Sequence, residues 1–308
     1  MKDYREHPGI NWSKLKWMME SPRDYLVRKD FEEPPTDSMK MGSFIDCGLL
    51  TPDLLDSTYV VVPPIKWGNN ADKAETVRAY QKASGAPDIV VASVLKMKKD
   101  EATKVLYELV NKTGKEPIPS TGSDTDIYNY EKGMRIIESN QNRPAFMALM
   151  EEVEDIQKPL YATCEVTGLQ LKGLLDVVTS KTITDLKTTI SLSKRFSSIA
   201  DRKYTNQLAY YDYLARLNGI NKPGHWLVFI STVTPYKMKF VEIDPREIQA
   251  RHEENIQLLS QLRSCLESQV FPDGSETPDF YEYRKASQYE SPELQWLERE
   301  QQPGAGSL

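Results

Sequence analysis

Apolar and polar residues form their clearest pattern near the middle of the chain. Apolar, β-branched residues stand on either side of the polar segment Thr179-Ser180-Lys181, which predicts two β-strands joined by a tight hairpin. Side chains alternate across a strand, so Asp185 and Lys187 share one face of the second strand. The hairpin can therefore bring Asp176, on the first strand, beside that pair.

The remaining pattern predicts an α/β fold, with a central mixed sheet flanked by helices. Helices are expected over 11–28, 39–50, 93–111, 126–140, 144–154, 204–211 and 244–269. Strands are expected over 60–64, 226–230 and 237–243, with Glu165 opening the first strand of the core and a loop over 113–123. We expect a single domain over 1–285, in which 60–160 is mainly a helical insertion, and a polar, flexible tail over 286–308.

Composition is that of an ordinary soluble protein. The chain has 308 residues, of which 39% are hydrophobic and 27% charged, so it can bury a sizeable core in one large domain or two. It contains no apolar stretch long enough to span a membrane and no apolar segment of the signal-peptide kind at its start. We therefore expect a cytoplasmic protein without a membrane partner.

Cysteine and histidine spacing excludes several kinds of site. The three cysteines are far apart, without any C-x-x-C pair, and the three histidines lack the spacing of metal ligands; they are Cys47, Cys164, Cys265, His7, His225 and His252. A disulfide framework, a structural zinc site and an iron–sulfur cluster are therefore not expected.

Charge is distributed unevenly along an acidic chain. The formal net charge is −6, yet residues 165–210 carry seven lysines and arginines against four aspartates and glutamates, which is +3. A local basic groove is sufficient for DNA binding. The alternative is that these cations only solvate two surface elements. Lys66 and Trp67 are further candidates for DNA contact, although an isolated tryptophan is more often part of the packing.

The hairpin itself suggests a metal site. Two carboxylates that meet among hydrophobic strands are costly unless a positive charge lies between them. A divalent cation beside Lys187 meets this need, and Mg²⁺, with Mn²⁺ as an alternative, leaves coordination positions for phosphate. Lys187 would hold or deprotonate the attacking water, or neutralise the scissile phosphate. The other interpretation is a surface hairpin that carries an ordinary aspartate–lysine pair.

Together these residues resemble a known motif. Asp176, the hairpin and Asp185-Leu186-Lys187-Thr188 are similar to the PD-(D/E)XK nuclease motif, in the form found in RecB-like and RecE-like exonucleases. Gln207 and Tyr211, four apart on one helix face, resemble the Q-x-x-x-Y helix that follows this strand in those families. Taken alone, Q-x-x-x-Y indicates only an amphipathic helix.

The resemblance implies a restriction-endonuclease-like core and assigns roles to these residues. It implies that Asp176 and Asp185 bind Mg²⁺, that Glu165 and the carbonyl of Leu186 complete the metal site, and that Lys187 positions the attacking water. Gln207 and Tyr211 would orient the lysine or the scissile nucleotide. Glu152 and Glu154 compete with Glu165 for its role.

One position departs from the family pattern. Gly42 is expected at a close packing contact of its helix, and the family pattern G-x-x-x-H would place a histidine four residues later. This chain has Asp46 there. Asp46 either binds or orients the metal, or it faces solvent.

The function implied is metal-dependent hydrolysis of linear double-stranded DNA from its ends, most like the RecE-type 5′→3′ exonucleases of phages and prophages. By resemblance, a ring-shaped homo-oligomer and a strand-annealing recombination protein are expected partners, in a bacterium or a phage-infected host. Two alternatives stay open. One is a structure-selective or single-strand-acting RecB-like nuclease, and the other is a DNA-binding module on a nuclease scaffold that has lost its activity.

Overall fold

The computed structural model describes residues 4, 6–30, 34–85, 93–122, 126–193 and 203–274. Its α-helices are α1 (Trp12–Leu15), α2 (Pro22–Arg28), α3 (Asp37–Leu50), α4 (Leu55–Thr58), α5 (Asn70–Ser84), α6 (Lys99–Asn111), α7 (Tyr130–Gln141), α8 (Pro144–Glu151), α9 (Tyr204–Leu217) and α10 (Pro245–Ser268). The strands are β1 (Tyr59–Val62), β2 (Glu116–Pro119), β3 (Val153–Thr163), β4 (Gln170–Thr179), β5 (Thr182–Thr189), β6 (Gly224–Ser231) and β7 (Met238–Glu242). Short 3₁₀ turns precede α2 and α4.

Five strands form a mixed sheet in the order β3-β4-β5-β6-β7. Every neighbouring pair is antiparallel except β5 and β6, which are parallel. Parallel neighbours need a crossover connection, and α9 lies in the one between β5 and β6. The expected α/β architecture, a mixed sheet flanked by helices, is confirmed.

A hydrophobic core holds α3 and α7 against this sheet. It contains Phe44 and Ile45 of α3 and Ile136 of α7, each 0% exposed, together with Leu186 of β5 and Val228 of β6. Burying a large apolar side chain stabilises a fold by about 1.5–3 kcal/mol. The position of α3 is therefore fixed by many such contacts.

Strand β1 and helices α5 and α6 form a second, smaller hydrophobic cluster. β1 and β2 pair in parallel, and Val62, Tyr80 and Leu106 lie in a second core with helices α5 and α6. Trp67 packs against this core and donates its indole N–H to the carbonyl of Met97 at 3.2 Å. The structure therefore favours a packing role for Trp67 over DNA contact.

Contacts divide the chain into two compact units. Of the described residues, those up to 9 and those within 34–255 form one unit, with both sheets, and those within 10–30 and 256–274 form the other. In the second unit α2 is capped by Ser21, whose hydroxyl accepts the N–H of Asp24 at 3.0 Å. The predicted tail over 286–308 lies outside the described residues. Among the residues that the structure describes, there is no helix whose length and apolar character would let it span a bilayer.

Two sequence predictions about the positions of strands are wrong. The first strand of the large sheet is β3, which begins at Val153, so Glu165 opens no strand and lies exposed in the turn after β3. β3 carries charged residues and Pro159, which obscure its pattern, and it tolerates them because it is an edge strand. The predicted loop over 113–123 also contains strand β2.

Close packing of α3 on α7 depends on a glycine. An ideal Cβ at Gly133 would lie 2.4 Å from Cε1 of the buried Phe44. We expect Gly133→Ala to lower the free energy of unfolding by about 1–2 kcal/mol. Overpacking against a buried ring costs up to about 3 kcal/mol, and the better helix propensity of alanine offsets about 1 kcal/mol of this cost. Urea unfolding measures this.

Ser139→Ala on the exposed side of the same helix is the matched control. It should raise stability by a few tenths of a kcal/mol at most. Equal stability of Gly133→Ala and wild type would contradict the close contact.

Candidate active site

The candidate site lies where the ladder between β4 and β5 stops. Backbone pairing joins only Val177 to Thr184 and Val178 to Ile183. At the next position the side chain of Asp176 replaces the backbone as the hydrogen-bond acceptor, because its Oδ2 accepts the backbone N–H of Leu186 at 2.9 Å. The predicted hairpin is confirmed, and it brings Asp176 to the second strand beside Asp185.

Lys187 pairs with a deeply buried carboxylate. Its Nζ forms an ion pair with Oδ2 of Asp185, a residue 2% exposed. Burial by itself lowers the pKa of Lys187, but the negative charges of Asp185 and Asp176 outweigh it, so the pKa lies above its usual value. Lys187 is therefore held as a charged ammonium.

Asp176 is destabilised as a carboxylate. Burial first, and then the charge of Asp185, raise the pKa of Asp176 to about 7, against the opposing effects of Lys187 and the Leu186 N–H. Its other oxygen, Oδ1, accepts the side-chain amide of Gln157 at 3.4 Å. Both oxygens of this aspartate are thus held from neighbouring strands.

Helix α3 adds a third acidic residue. Oδ1 of Asp46 is buried and accepts no hydrogen bond from any described residue. Burial, and then the charge of Asp176, raise the pKa of Asp46 well above its usual range, although Lys187 acts in the opposite direction. Asp46 therefore lies among the hairpin residues, and the solvent-facing alternative is contradicted.

Gly42 makes this approach possible. An ideal Cβ at Gly42 would lie 3.1 Å from Oγ1 of Thr188, at the end of β5. That distance is tighter than ordinary contact, so the missing side chain lets α3 lie close to the strand that carries Lys187. The close contact predicted for Gly42 is present.

Helix α9 supplies the predicted glutamine and tyrosine. Gln207 donates its side-chain amide to Oη of Tyr211 at 2.8 Å, as expected for residues four apart on a helix. Burial, followed by the charges of Asp185 and Asp176, raises the pKa of Tyr211 well above its usual value. The phenol is therefore neutral and close to both aspartates.

Tyr204 and Gln157 are residues of this cluster that the sequence analysis missed. The ring centroid of Tyr204 lies 5.2 Å from Nζ of Lys187, within the range of a cation–π contact. Tyr204 precedes Gln207 by three positions, so the helix period alone was a signal for it.

Gln157 has an unusual backbone. It stands inside β3 with φ of 50°, a left-handed conformation that costs a residue other than glycine about 1–3 kcal/mol. Its register neighbours, Ile156 and Lys158, pair with Val177 and Leu175, so Gln157 lies across from Asp176. No periodic pattern in the sequence marks such a position.

Three predicted or competing acids are not brought into the cluster. Glu165 lies in the turn at the far end of β4, and six strand residues separate the start of that strand from Asp176, about 20 Å at 3.3 Å per residue. Glu152 instead pairs with Lys181 and Glu154 with Lys222. The structure gives no contact for the Leu186 carbonyl that bears on metal binding, so that role stays a prediction.

The cluster has the chemistry of a divalent-cation site without a finished coordination shell. Within the described ranges, no group of three or more histidine, cysteine, aspartate or glutamate side chains is already arranged to hold a metal ion. The donors nevertheless fit a hard cation, because Asp46 presents an unpartnered buried oxygen, and burial followed by mutual repulsion raises the pKa of both Asp46 and Asp176. A cation between these carboxylates would relieve that repulsion.

Comparison with known proteins identifies a family model and a similar fold. The model of a PDDEXK-like domain of unknown function (DUF3799) matches residues 11–283. A crystal structure from Eubacterium rectale, described as a "Putative exonuclease", superimposes with a TM-score of 0.52 at 15% sequence identity, over 88% of this chain and 86% of that one. This likeness concerns the fold alone.

Two other comparisons add nothing to the argument. The solved structure of SSO0001 covers 42% of this chain and 67% of its own, at 18% identity, and its TM-score of 0.25 is too low for an argument. No curated protein matches this chain significantly.

The raised pKa of Asp46, caused first by burial and then by the charge of Asp176, leads to a stability prediction. The unfolded carboxyl ionises near its usual pKa of about 3.9, whereas its folded pKa is raised, so the folded state binds more protons above that pH and loses stability as pH rises. Asp46→Asn should therefore raise the melting temperature at pH 8 in EDTA. The gain should shrink as the pH falls through about 4 and vanish below about pH 3, where aspartate is protonated in both states.

Asp37→Asn, on the exposed first turn of the same helix, is the control. It should lower stability slightly, because it removes a charge that favours the helix N-terminus. A gain for Asp46→Asn that is equal at pH 4 and pH 8 would contradict the raised pKa of Asp46.

Proposed function

Because the chain belongs to the PDDEXK-like domain family DUF3799, whose model spans residues 11–283, we propose that it is a metal-dependent deoxyribonuclease. Its substrate in this proposal is linear double-stranded DNA, hydrolysed at phosphodiester bonds from the ends. A protein with this substrate would act in the cytoplasm of a bacterium or of a phage-infected host.

The observation that carries the proposal is the opened ladder between β4 and β5. It brings two aspartate side chains and one ammonium together within a single hairpin, with Asp176 tied to the N–H of Leu186 and Lys187 tied to Asp185. Groups fixed in this way do not have to reorganise when charge develops on a substrate, which is the main source of electrostatic catalysis.

Lys187 has an electrostatic role in this proposal. Its raised pKa keeps it protonated, so it does not take a proton from water at neutral pH. The ammonium instead interacts with the scissile phosphate and stabilises the negative charge of its transition state. The ring of Tyr204 and the carboxylate of Asp185 hold the ammonium in place.

Asp176, Asp185 and Asp46 are the residues that would hold the cation. A bound Mg²⁺ or Mn²⁺ would supply Lewis-acid neutralisation of the phosphate. Asp46 would serve as an oxygen donor where the family pattern has a histidine. Gln157 and Leu186 keep Asp176 oriented through hydrogen bonds to its two oxygens.

Gln207 and Tyr211 have a positioning role in the proposal. The glutamine amide donates to the tyrosine hydroxyl oxygen at 2.8 Å, and that hydroxyl lies close to Asp185 and Asp176. The phenol stays neutral, so it can contact phosphate without repulsion. Its interaction with the scissile nucleotide is the expected consequence.

The finer features of the function rest on the resemblance to RecE-like enzymes. We propose 5′→3′ polarity, and a comparison of duplexes labelled at the 5′ or the 3′ end measures it. The ring-shaped oligomer and the strand-annealing partner stay predictions. Sizing by light scattering measures the first of these.

Cleavage of linear DNA beside a covalently closed circle tests the function. We expect loss of the linear DNA only, with Mg²⁺ and not with EDTA. Lys187→Gln should lower the rate by a factor of about 10²–10³, the effect of removing one electrostatic contact to a transition state. Glutamine keeps a hydrogen-bond donor beside the buried Asp185.

Lys181→Ala is the matched control, since Lys181 is an exposed lysine of the same hairpin. Its rate should equal that of wild type, and melting curves establish that both variants fold. Cutting of the circle would contradict exonuclease activity and identify the protein as an endonuclease. A shift of DNA mobility without any cleavage would instead favour the DNA-binding module.

Gln157 provides a second prediction about the site. The substitution Gln157→Gly relieves the left-handed backbone strain but removes the side-chain amide that donates to Asp176. Stability should therefore change little, because strain relief of about 1–3 kcal/mol offsets a hydrogen bond of about 0.5–1.5 kcal/mol. Cleavage should fall about 10–100-fold, and the Mg²⁺ concentration for half-maximal rate should rise.

Gln269→Gly is the matched control, because Gln269 is also left-handed, with φ of 59°, and also donates its side-chain amide locally, to Leu266. It should leave the rate and the Mg²⁺ dependence unchanged. Wild-type kinetics in Gln157→Gly would rule out the positioning role.

A further inference from the structure

A pocket of about 260 Å³ opens beside the candidate site. Its described walls come from the first turns of α3, from Ile127 before α7, from the end of β5 and the residues after it, from the start of α9, and from the end of β6 and the residue after it. The proposed function leaves this pocket without a role.

The pocket shares a wall with the ammonium of the site. Tyr204 lines the pocket, and its ring centroid lies 5.2 Å from Nζ of Lys187. Thr188, the residue after that lysine, lines it as well. A molecule in the pocket would therefore lie next to whatever phosphate Lys187 contacts.

The chemistry of the described lining is uncharged. The lining contains hydroxyl side chains, among them Ser38, Thr188 and Thr232, and apolar ones such as Met41 and Ile127. A free phosphate prefers charged donors such as arginine and lysine, so these walls do not favour one. They suit a flat, largely apolar group with hydrogen-bonding edges.

We propose that this pocket binds one nucleoside, the sugar and base attached to the phosphate that is cleaved. The inference rests on the proposed nuclease function and adds the part of the substrate that the site selects. In DNA a neutral sugar and base adjoin every charged phosphate, and the pocket adjoins Lys187 in the same way. The ring of Tyr204 provides a surface for stacking.

The size and the donors also suggest how selective the pocket is. Pockets for drug-sized ligands measure about 300–1,000 Å³, so this one suits a single nucleoside and not several. Serine and threonine hydroxyls both donate and accept hydrogen bonds, so they can meet the edge of any base. We therefore expect little discrimination among the four bases.

Ser38→Trp tests the proposal by filling the pocket from its exposed rim. Thymidine, thymidine 5′-monophosphate and inorganic phosphate are titrated separately by ligand-observed NMR and as inhibitors of DNA cleavage. Wild type should bind both nucleoside probes and bind phosphate far more weakly. In Ser38→Trp the affinity for thymidine should fall about tenfold or more, the effect of losing one stacked base.

Ser139→Trp, an exposed serine of α7, is the matched control and should bind thymidine as wild type does. Equal thymidine binding by Ser38→Trp and Ser139→Trp would overturn the nucleoside pocket, as would inhibition by phosphate without any binding of thymidine. If wild type cleaves DNA and only these titrations fail, the pocket is wrong and the nuclease stands. If wild type cleaves no DNA, the proposed function itself fails.

Discussion

The unpaired stretch between β4 and β5 is the constraint on which the rest of the site depends. Like charges directly opposite each other on neighbouring strands are destabilising, and Asp176 and Asp185 would occupy such positions if the ladder continued past Val177. The ladder instead stops there, and the Asp176 carboxylate accepts the N–H of Leu186 in place of a backbone carbonyl. Asp185 then pairs with Lys187, so every group of the hairpin that carries charge has a defined contact.

The surrounding core makes this arrangement possible at a cost in stability. Asp46, Asp176 and Asp185 together face one ammonium, so ionising all three would leave negative charge in excess in a buried place, and the pKa values of Asp46 and Asp176 are raised. The apolar contacts of α3 hold Asp46 there, and β3 holds Gln157 in a strained backbone conformation. Strain and repulsion of this kind typically occur at functional sites, where the rest of the fold compensates for them. Binding of a cation would turn the repulsion into attraction.

A charged cluster and a neutral pocket lie side by side, and Tyr204 belongs to both. The Tyr204 ring contacts the ammonium of Lys187, and the same residue lines the pocket with its hydroxyl and apolar walls. A nucleotide has the same division between a charged phosphate and a neutral nucleoside. The two halves of the proposed site therefore match the two halves of one substrate unit, without any feature that reads a particular base.

Local periodicity by itself determined the hairpin, the pairing of Asp185 with Lys187 and the contact between Gln207 and Tyr211, because strands repeat every two residues and helices nearly every four. Only the tertiary structure decided that Asp46 joins the cluster, that Gln157 takes part, and that Glu165 does not. The physical reason is that these three depend on how a helix packs on a sheet, where a strand residue takes a left-handed backbone conformation and where a turn ends. Such features follow from packing of the whole core, and no local repeat in the sequence encodes them.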